Sequence, residues 1–200
     1  KKWRKIDFDD MLLLCRELFL SRPDILKQWQ KKFRYILIDE FQDINRIQYD
    51  VIKMLALPEN NLFVVGDDDQ AIYGFRGADT RIMFEFLEDF PQAAQILLDI
   101  NYRSSANIVK NSLKVIGKNT VRFEKKLRAA KEKGTSVHVQ ELKDPVEEGR
   151  YITEEIKKRR KAGIAWERMA VLFRIHTDAR SVVENFLEQK IPFQMKEHLP

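Results

Sequence analysis

Apolar and polar positions alternate along this chain in two periods. Phe8, Met11, Leu12, Cys15 and Phe19 recur at helical spacing, and Pro23 closes the pattern. Residues 24–32 read as a second short helix. Phe33 to Asp39 is an apolar strand ending in acid. Ile44, Ile47, Val51 and Leu55 mark the next helix, with Pro58 just past its end, and Leu62 to Asp67 is a second strand ending in acid. Ile82, Met83, Phe86, Leu87 and Phe90 form a helix stripe stopped by Pro91, and 96–98 is a third short strand. Residues 104–117 read as a helix. The Lys/Arg-rich stretch 118–136 has few apolar anchors and reads as a surface segment between two lobes. The rhythm then resumes: strand 137–142, helix 146–162 with Gly163 at its C′ position, strand 169–174, helix 178–190 and strand 191–195. Near-continuous apolar strands alternating with helices predict an α/β fold of parallel sheets covered on both faces. Ligands in such sheets bind beyond the strands' carboxyl ends, where Asp39, Glu40, Asp67, Asp68 and Asp69 all fall.

Composition narrows the class. A chain of 200 residues, 44% hydrophobic and 34% charged, has room for one or two small domains with real cores. The net charge of +5 is compatible with nucleic acid, but 31 acidic residues exclude a simple basic tail. Cys15 is the single cysteine, so no internal disulfide can form, and a reducing cytoplasm is the expected compartment. One cysteine and three scattered histidines build no Cys/His metal site. The longest apolar run, Met11 to Cys15, is too short to span a membrane. The chain starts at Lys1 without a methionine, which suggests an excised piece.

The chemistry concentrates at the strand ends. A magnesium nucleotide site needs a carboxylate to hold the metal, and a second one nearby can orient and deprotonate an attacking water. Asp39-Glu40 offers both, although acids also follow strands simply because chains turn there. The surroundings are more specific. Ile38-Asp39-Glu40-Phe41-Gln42-Asp43 is followed by Val64-Val65-Gly66-Asp67-Asp68-Asp69-Gln70-Ala71-Ile72-Tyr73-Gly74-Phe75-Arg76-Gly77-Ala78, and then by Asn101-Tyr102-Arg103-Ser104. In order and spacing these resemble motifs II, III and IV of the UvrD/PcrA/Rep-like superfamily-1 DNA helicases. The segment Ile6 to Leu12 resembles the stretch before motif II, and Ala170 to Arg174 with Ile191-Pro192-Phe193 resembles the start of the second motor domain.

The resemblance implies RecA-like sheets from two motor lobes, residues 1–100 closing the first and 101–200 opening the second. It implies ATP and magnesium as cofactors, and single-stranded and duplex DNA as partners, with no membrane. Asp39 would coordinate magnesium, and Glu40 would be the general base. Gln70 would sense the γ-phosphate, Tyr102 would stack on adenine, and Arg103 would reach the γ-phosphate in the manner of an arginine finger. Tyr73, Phe75 and Arg76 would face single-stranded DNA, where aromatic stacking tolerates any base. The alternative for Phe75 is core packing. Ala71 and Phe75 stand where many relatives have Ser and Trp.

Three other signals are weaker. Asp67-Asp68-Asp69 lacks the glycine and glutamate an EF-hand needs, since Ile72 and Ala78 occupy those places. Gly117-Lys118-Asn119-Thr120 lacks the leading glycine of a phosphate loop. Lys157 to Lys161 suits a solvated helix end. No Gly-x-x-x-x-Gly-Lys-Ser/Thr occurs, so this stretch by itself is expected to be inactive. The parent is expected to be a 3′-to-5′ ATP-dependent helicase. The helicase part of a RecB/AddA-type helicase–nuclease and a non-catalytic nucleic-acid-binding module stay open as alternatives.

Overall fold

The computed structural model describes residues 5–195. The chain divides into two compact units, one running to Val137 and the other beginning at His138.

In the first unit, α1 (Phe8–Ser21) starts at a capping box. The Asp10 amide donates to Asp7 Oδ1 (2.8 Å) and the Asp7 amide donates to Asp10 Oδ2 (3.2 Å). Helix α2 (Pro23–Lys32) opens on proline, whose missing N–H costs nothing at that position. Both helices lie against α3 (Arg46–Ala56), tied by Arg16 to Asp50 at 2.8 Å and by the Gln30 amide to the Met54 carbonyl at 2.7 Å. Two parallel strands, β1 (Ile36–Ile38) and β2 (Leu62–Val64), pair Ile36 with Leu62, Leu37 with Phe63 and Ile38 with Val64. The pleat turns Ile38, Leu62 and Val64 toward a core of Phe41, Tyr49, Ile82 and Phe86, to which α4 (Arg81–Asp89) contributes the last two. Phe41 meets Tyr49 and Phe86 edge-on at 5.9 and 5.5 Å. The opposite face carries Leu37 and Phe63, both exposed.

Two more short strands, β3 (Ile100–Asn101) and β4 (Arg128–Ala129), pair in parallel beside α5 (Ala106–Ile116). Here expectation and structure part. Residues 96–98 are exposed and unpaired, and the ladder forms two residues later. The stretch 118–136 is no simple surface segment. It supplies β4, stacks Phe123 on Phe84 at 4.4 Å and buries Lys125 against acids, so charge pairing replaces the missing apolar anchors.

The second unit packs α6 (Pro145–Lys161) on α7 (Arg180–Glu188). A Cβ on Gly149 would collide with Ser181, which is why the helices approach there. Ile152, Ile156, Trp166 and Val171 surround a core of Val182, Phe186 and Ile191. The predicted strands 137–142, 169–174 and 191–195 carry no ladder. A strand is made by a hydrogen-bonded neighbour, and none lies beside them among the described residues. Val139 and Leu172 are correspondingly exposed.

Candidate functional site

The carboxyl ends of β1 and β2 sit side by side because the strands are parallel and in register. Asp39 and Glu40 leave β1 exposed to solvent. The Glu40 amide donates to Asp39 Oδ1 at 2.9 Å. Glu40 lies in the left-handed region (φ 50°, ψ 44°), which for a residue with a Cβ costs on the order of 1 kcal/mol. That turn drives Phe41 into the core, where its amide donates to the Val65 carbonyl at 2.9 Å, and leaves the Glu40 side chain outside.

Gln42, buried to 1% exposure, joins the two strand ends. Its Nε2 donates to Glu40 Oε2 at 2.7 Å, and its Oε1 accepts from the Asp67 amide at 2.9 Å. Gly66 is needed beside it, because a Cβ there would lie 2.9 Å from Gln42 Oε1. Asp67 Oδ2 in turn accepts from Gln70 Nε2 at 2.7 Å. A continuous hydrogen-bonded chain thus runs Glu40–Gln42–Asp67–Gln70.

The three consecutive acids receive two counter-charges from the segment after α5. Lys125 Nζ lies 2.5 Å from Asp67 and 3.2 Å from Asp69, and also pairs with Asp68. Arg122 grips Asp69 with two nitrogens, Nε at 2.8 Å, and the Phe123 amide donates to Asp68 Oδ2 at 2.8 Å. Burial raises the Asp67 carboxyl, but hydrogen bonds from Lys125 and Gln70 outweigh it and hold it below the ordinary carboxylate range. The hydrogen bond from Arg122 lowers Asp69, with Lys125 adding to it. Burial lowers the Lys125 ammonium, and its bonds to Asp67 and Asp68 more than reverse this. The three acids gather one oxygen each within 4.8 Å, but the cation among them is Lys125.

Farther along the same loop, Tyr73, Phe75 and Arg76 form an exposed cluster. The two rings are 6.0 Å apart, and the Arg76 guanidinium lies 5.3 and 5.4 Å from them. Phe75 is 75% exposed, so it is not a core residue here. Gly77, at φ 84°, closes the short helical turn 74–76. Tyr102 (71% exposed) and Arg103 follow β3, on a turn where Asn101 Oδ1 accepts from the amides of Arg103 (3.0 Å) and Ser104 (2.8 Å). The Arg103 guanidinium makes no ion pair among the described residues. No hydrogen bond, ion pair or ring contact among them links Tyr102 or Arg103 to Asp39 or Glu40.

The structure therefore joins Asp39, Glu40 and Gln70 in one network, clusters Tyr73, Phe75 and Arg76 in another, and leaves Tyr102 and Arg103 on a separate turn. Sequence reasoning missed Gln42, Arg122 and Lys125. Three adjacent acids at a strand end, which demand counter-charge, were the signal for the two cations. Gln42 gave none beyond its place between Glu40 and the next strand.

Comparison with known proteins places the chain. Residues 1–91 match the UvrD/REP helicase N-terminal domain, and residues 96–199 match the UvrD-like helicase C-terminal domain. The chain is 43% identical over 196 residues to YjcD of Bacillus subtilis (strain 168), covering 96% of this chain and 25% of that protein. It is 40% identical over 190 residues to the ATP-dependent DNA helicase PcrA of Staphylococcus epidermidis (strain RP62A), covering 95% and 26%. It is 38% identical over 190 residues to PcrA of Staphylococcus aureus (strain NCTC 8325), with the same coverage. The chain thus spans about a quarter of the length of the curated relatives it matches. With more than half of its residues matched to one family and most of the rest to that family's other half, this chain belongs to the UvrD/Rep-like helicases.

Proposed function

We propose that this chain is the central part of the motor of an ATP-dependent DNA helicase, moving 3′ to 5′ on one strand and unwinding duplex DNA. The observation that carries this reading is the hydrogen-bonded chain from Glu40 through Gln42 and Asp67 to Gln70. It connects a carboxylate suited to activating water with an amide suited to feeling the γ-phosphate, at the strand ends where such sheets bind ligands.

In this reading Glu40 takes the proton of the attacking water. Gln70 reads the γ-phosphate, and the loop beyond it carries the change to Tyr73, Phe75 and Arg76, which hold single-stranded DNA. Tyr102 offers an exposed ring to the adenine. Arg103, whose guanidinium is free of ion pairs among the described residues, reaches the γ-phosphate. Magnesium fits Asp39: oxygen donors suit it, the carboxylate is exposed, and only its Oδ1 is engaged, by the Glu40 amide. The buried Asp43 Oδ1 in the next turn also lacks a hydrogen-bond partner among the described residues. When bound, the metal supplies charge to offset that of the phosphates.

The junction of the two matched domains between residues 91 and 96 supports assigning 1–100 to the first motor lobe and 101–200 to the second. The compact units divide later, after Val137, because 122–129 pack with the earlier residues. A cytoplasmic location fits a chain with a single cysteine. Among the described residues no helix is long and apolar enough to cross a membrane.

The test is steady-state phosphate release and strand separation on a 3′-tailed duplex, using the full-length protein that carries this segment. DNA-stimulated hydrolysis with unwinding is the expected result, and a full-length protein lacking both would sink the reading. The 200-residue chain alone, without a phosphate-binding loop, should show far less than the roughly 1 per second of an ordinary enzyme.

A further inference from the structure

The segment after α5 reaches back across more than fifty residues of sequence to the acids that precede Gln70. Lys125 is only 9% exposed and Asp68 only 3%, so this is a built contact and not a surface ion pair. Its geometry bears on Gln70 directly. Asp67 Oδ1 takes the ammonium of Lys125, which leaves Oδ2 for the Gln70 amide at 2.7 Å. Arg122 and the Phe123 amide hold Asp69 and Asp68 in the same way, and Phe123 is itself pinned by stacking on Phe84 at a 16° angle between planes.

Without these cations, three adjacent carboxylates with oxygens within 4.8 Å would repel one another in a half-buried turn. The turn is a single short helical one, Asp68–Gln70, whose only side-chain cap is Asp67. Two backbone bonds, from the Gln70 amide to the Asp67 carbonyl at 2.9 Å and from the Ala71 amide to the Asp68 carbonyl at 3.4 Å, and the Gln42 contact are what would oppose that repulsion. Gln70 follows Asp69 and would move with it.

We propose that Lys125 and Arg122 are positioning residues for Gln70. They clamp the acids 67–69 so that the Gln70 amide stands where the γ-phosphate is read, and they couple the post-α5 segment to the ATP-sensing loop. This rests on the ATPase reading of Gln70 given above. Neither cation touches nucleotide in this scheme, and both act through Asp67–Asp69.

A double-mutant cycle in the full-length helicase tests it. Lys125→Met should lower the DNA-stimulated kcat by roughly a hundredfold, the cost of misplacing a group by about 1 Å, with the KM for ATP changed far less. Lys125→Arg, which keeps the charge, should recover much of the loss. If Lys125 acts through Gln70, adding Lys125→Met to Gln70→Ala should cost little more than Gln70→Ala alone, whereas a merely structural role would make the two losses multiply. Should Lys125→Met fail to fold, Arg122→Gln carries the same cycle from a more accessible position. Fully multiplicative losses would overturn the proposal. So would a Lys125→Met enzyme within about twofold of the parent while Gln70→Ala and Glu40→Gln are dead. If Gln70→Ala and Glu40→Gln also hydrolyse ATP normally, the ATPase reading itself falls, and the clamp with it.

Discussion

Asp67–Gln70 and Tyr73–Arg76 belong to one continuous loop, yet they are held by different physics. The first stretch is fastened by buried charge: Lys125 and Arg122 on its carboxylates, Gln42 on its backbone, and Gly66 clearing room for that glutamine. The second stretch is fastened to itself, by two tilted rings and a guanidinium, and it faces water. Groups that must meet a small, highly charged ligand at fixed distances profit from a rigid, desolvated frame. Groups that must meet any of four bases in succession profit from exposed aromatic faces with room to adjust. The difference teaches that a loop can be rigid at one end and open at the other without a domain boundary between them.

Breaking the rigid end should have the largest consequence. Glu40→Gln in the full-length protein preserves shape and its contact with Gln42 but removes the carboxylate proposed as the base, so hydrolysis should fall by roughly 10²- to 10⁴-fold while nucleotide binding persists. Normal hydrolysis by this variant, measured beside ATP binding, would show that Glu40 is not the base.

The clamp should next reveal itself in stability. Lys125→Met leaves the nearly buried Asp68 carboxylate without its cation, and denaturant unfolding of this chain should show a loss of about 3 kcal/mol. The effect should depend on pH in a defined way. The carboxyls of Asp67 and Asp69 are held below their ordinary 3.8, so their contribution is present above that value and lost as pH falls through their lowered folded values. Lys125 is held above its ordinary 10.5, so its contribution is present below that value and lost as pH rises through its raised folded one. The difference between parent and variant should therefore be flat from about pH 5 to 9 and shrink in stronger acid. A difference that grew on acidification would contradict the pairing.

The open end should respond most gently. Phe75→Ala should weaken single-strand binding by about 1–3 kcal/mol, yet shift unfolding by no more than about 0.5 kcal/mol, because the ring is exposed. Titration of a labelled oligonucleotide beside a melting curve separates the two. A large stability loss with unchanged affinity per folded molecule would return Phe75 to the core.

The sequence was most legible where a residue's neighbours in space are its neighbours along the chain. The helix stripes Ile82, Phe86 and Val182, Phe186 became cores as their period required. Asp39 and Glu40 stood out as candidates because acids at a strand end announce themselves locally, and Gln70 was reached through the family resemblance. Legibility failed where structure depends on distant partners. The predicted strands 137–142 and 169–174 have the right composition, but pairing is a property of two segments, and no ladder joins them to another among the described residues. The stretch 118–136 looked like surface because its anchors are Arg122 and Lys125, and a charged residue says nothing in sequence about whether it faces water or three half-buried aspartates. Gln42 was invisible for a related reason: its bond to Glu40 is local, but the one from the Asp67 amide comes from the next strand end and exists only in the fold.

The left-handed backbone at Glu40 sets selection for robustness against selection for work. Glycine takes that conformation freely, so Glu40→Gly should relax the turn, but it would also leave the buried Gln42 Nε2 without its acceptor. A library sorted only for heat tolerance would be expected to drift toward asparagine at this position, which tolerates the left-handed region and still carries a side-chain oxygen, and one sorted for growth would be expected to hold the glutamate. Position 40 is therefore a place where a more durable version of this chain would give up the carboxylate that the proposed ATPase needs.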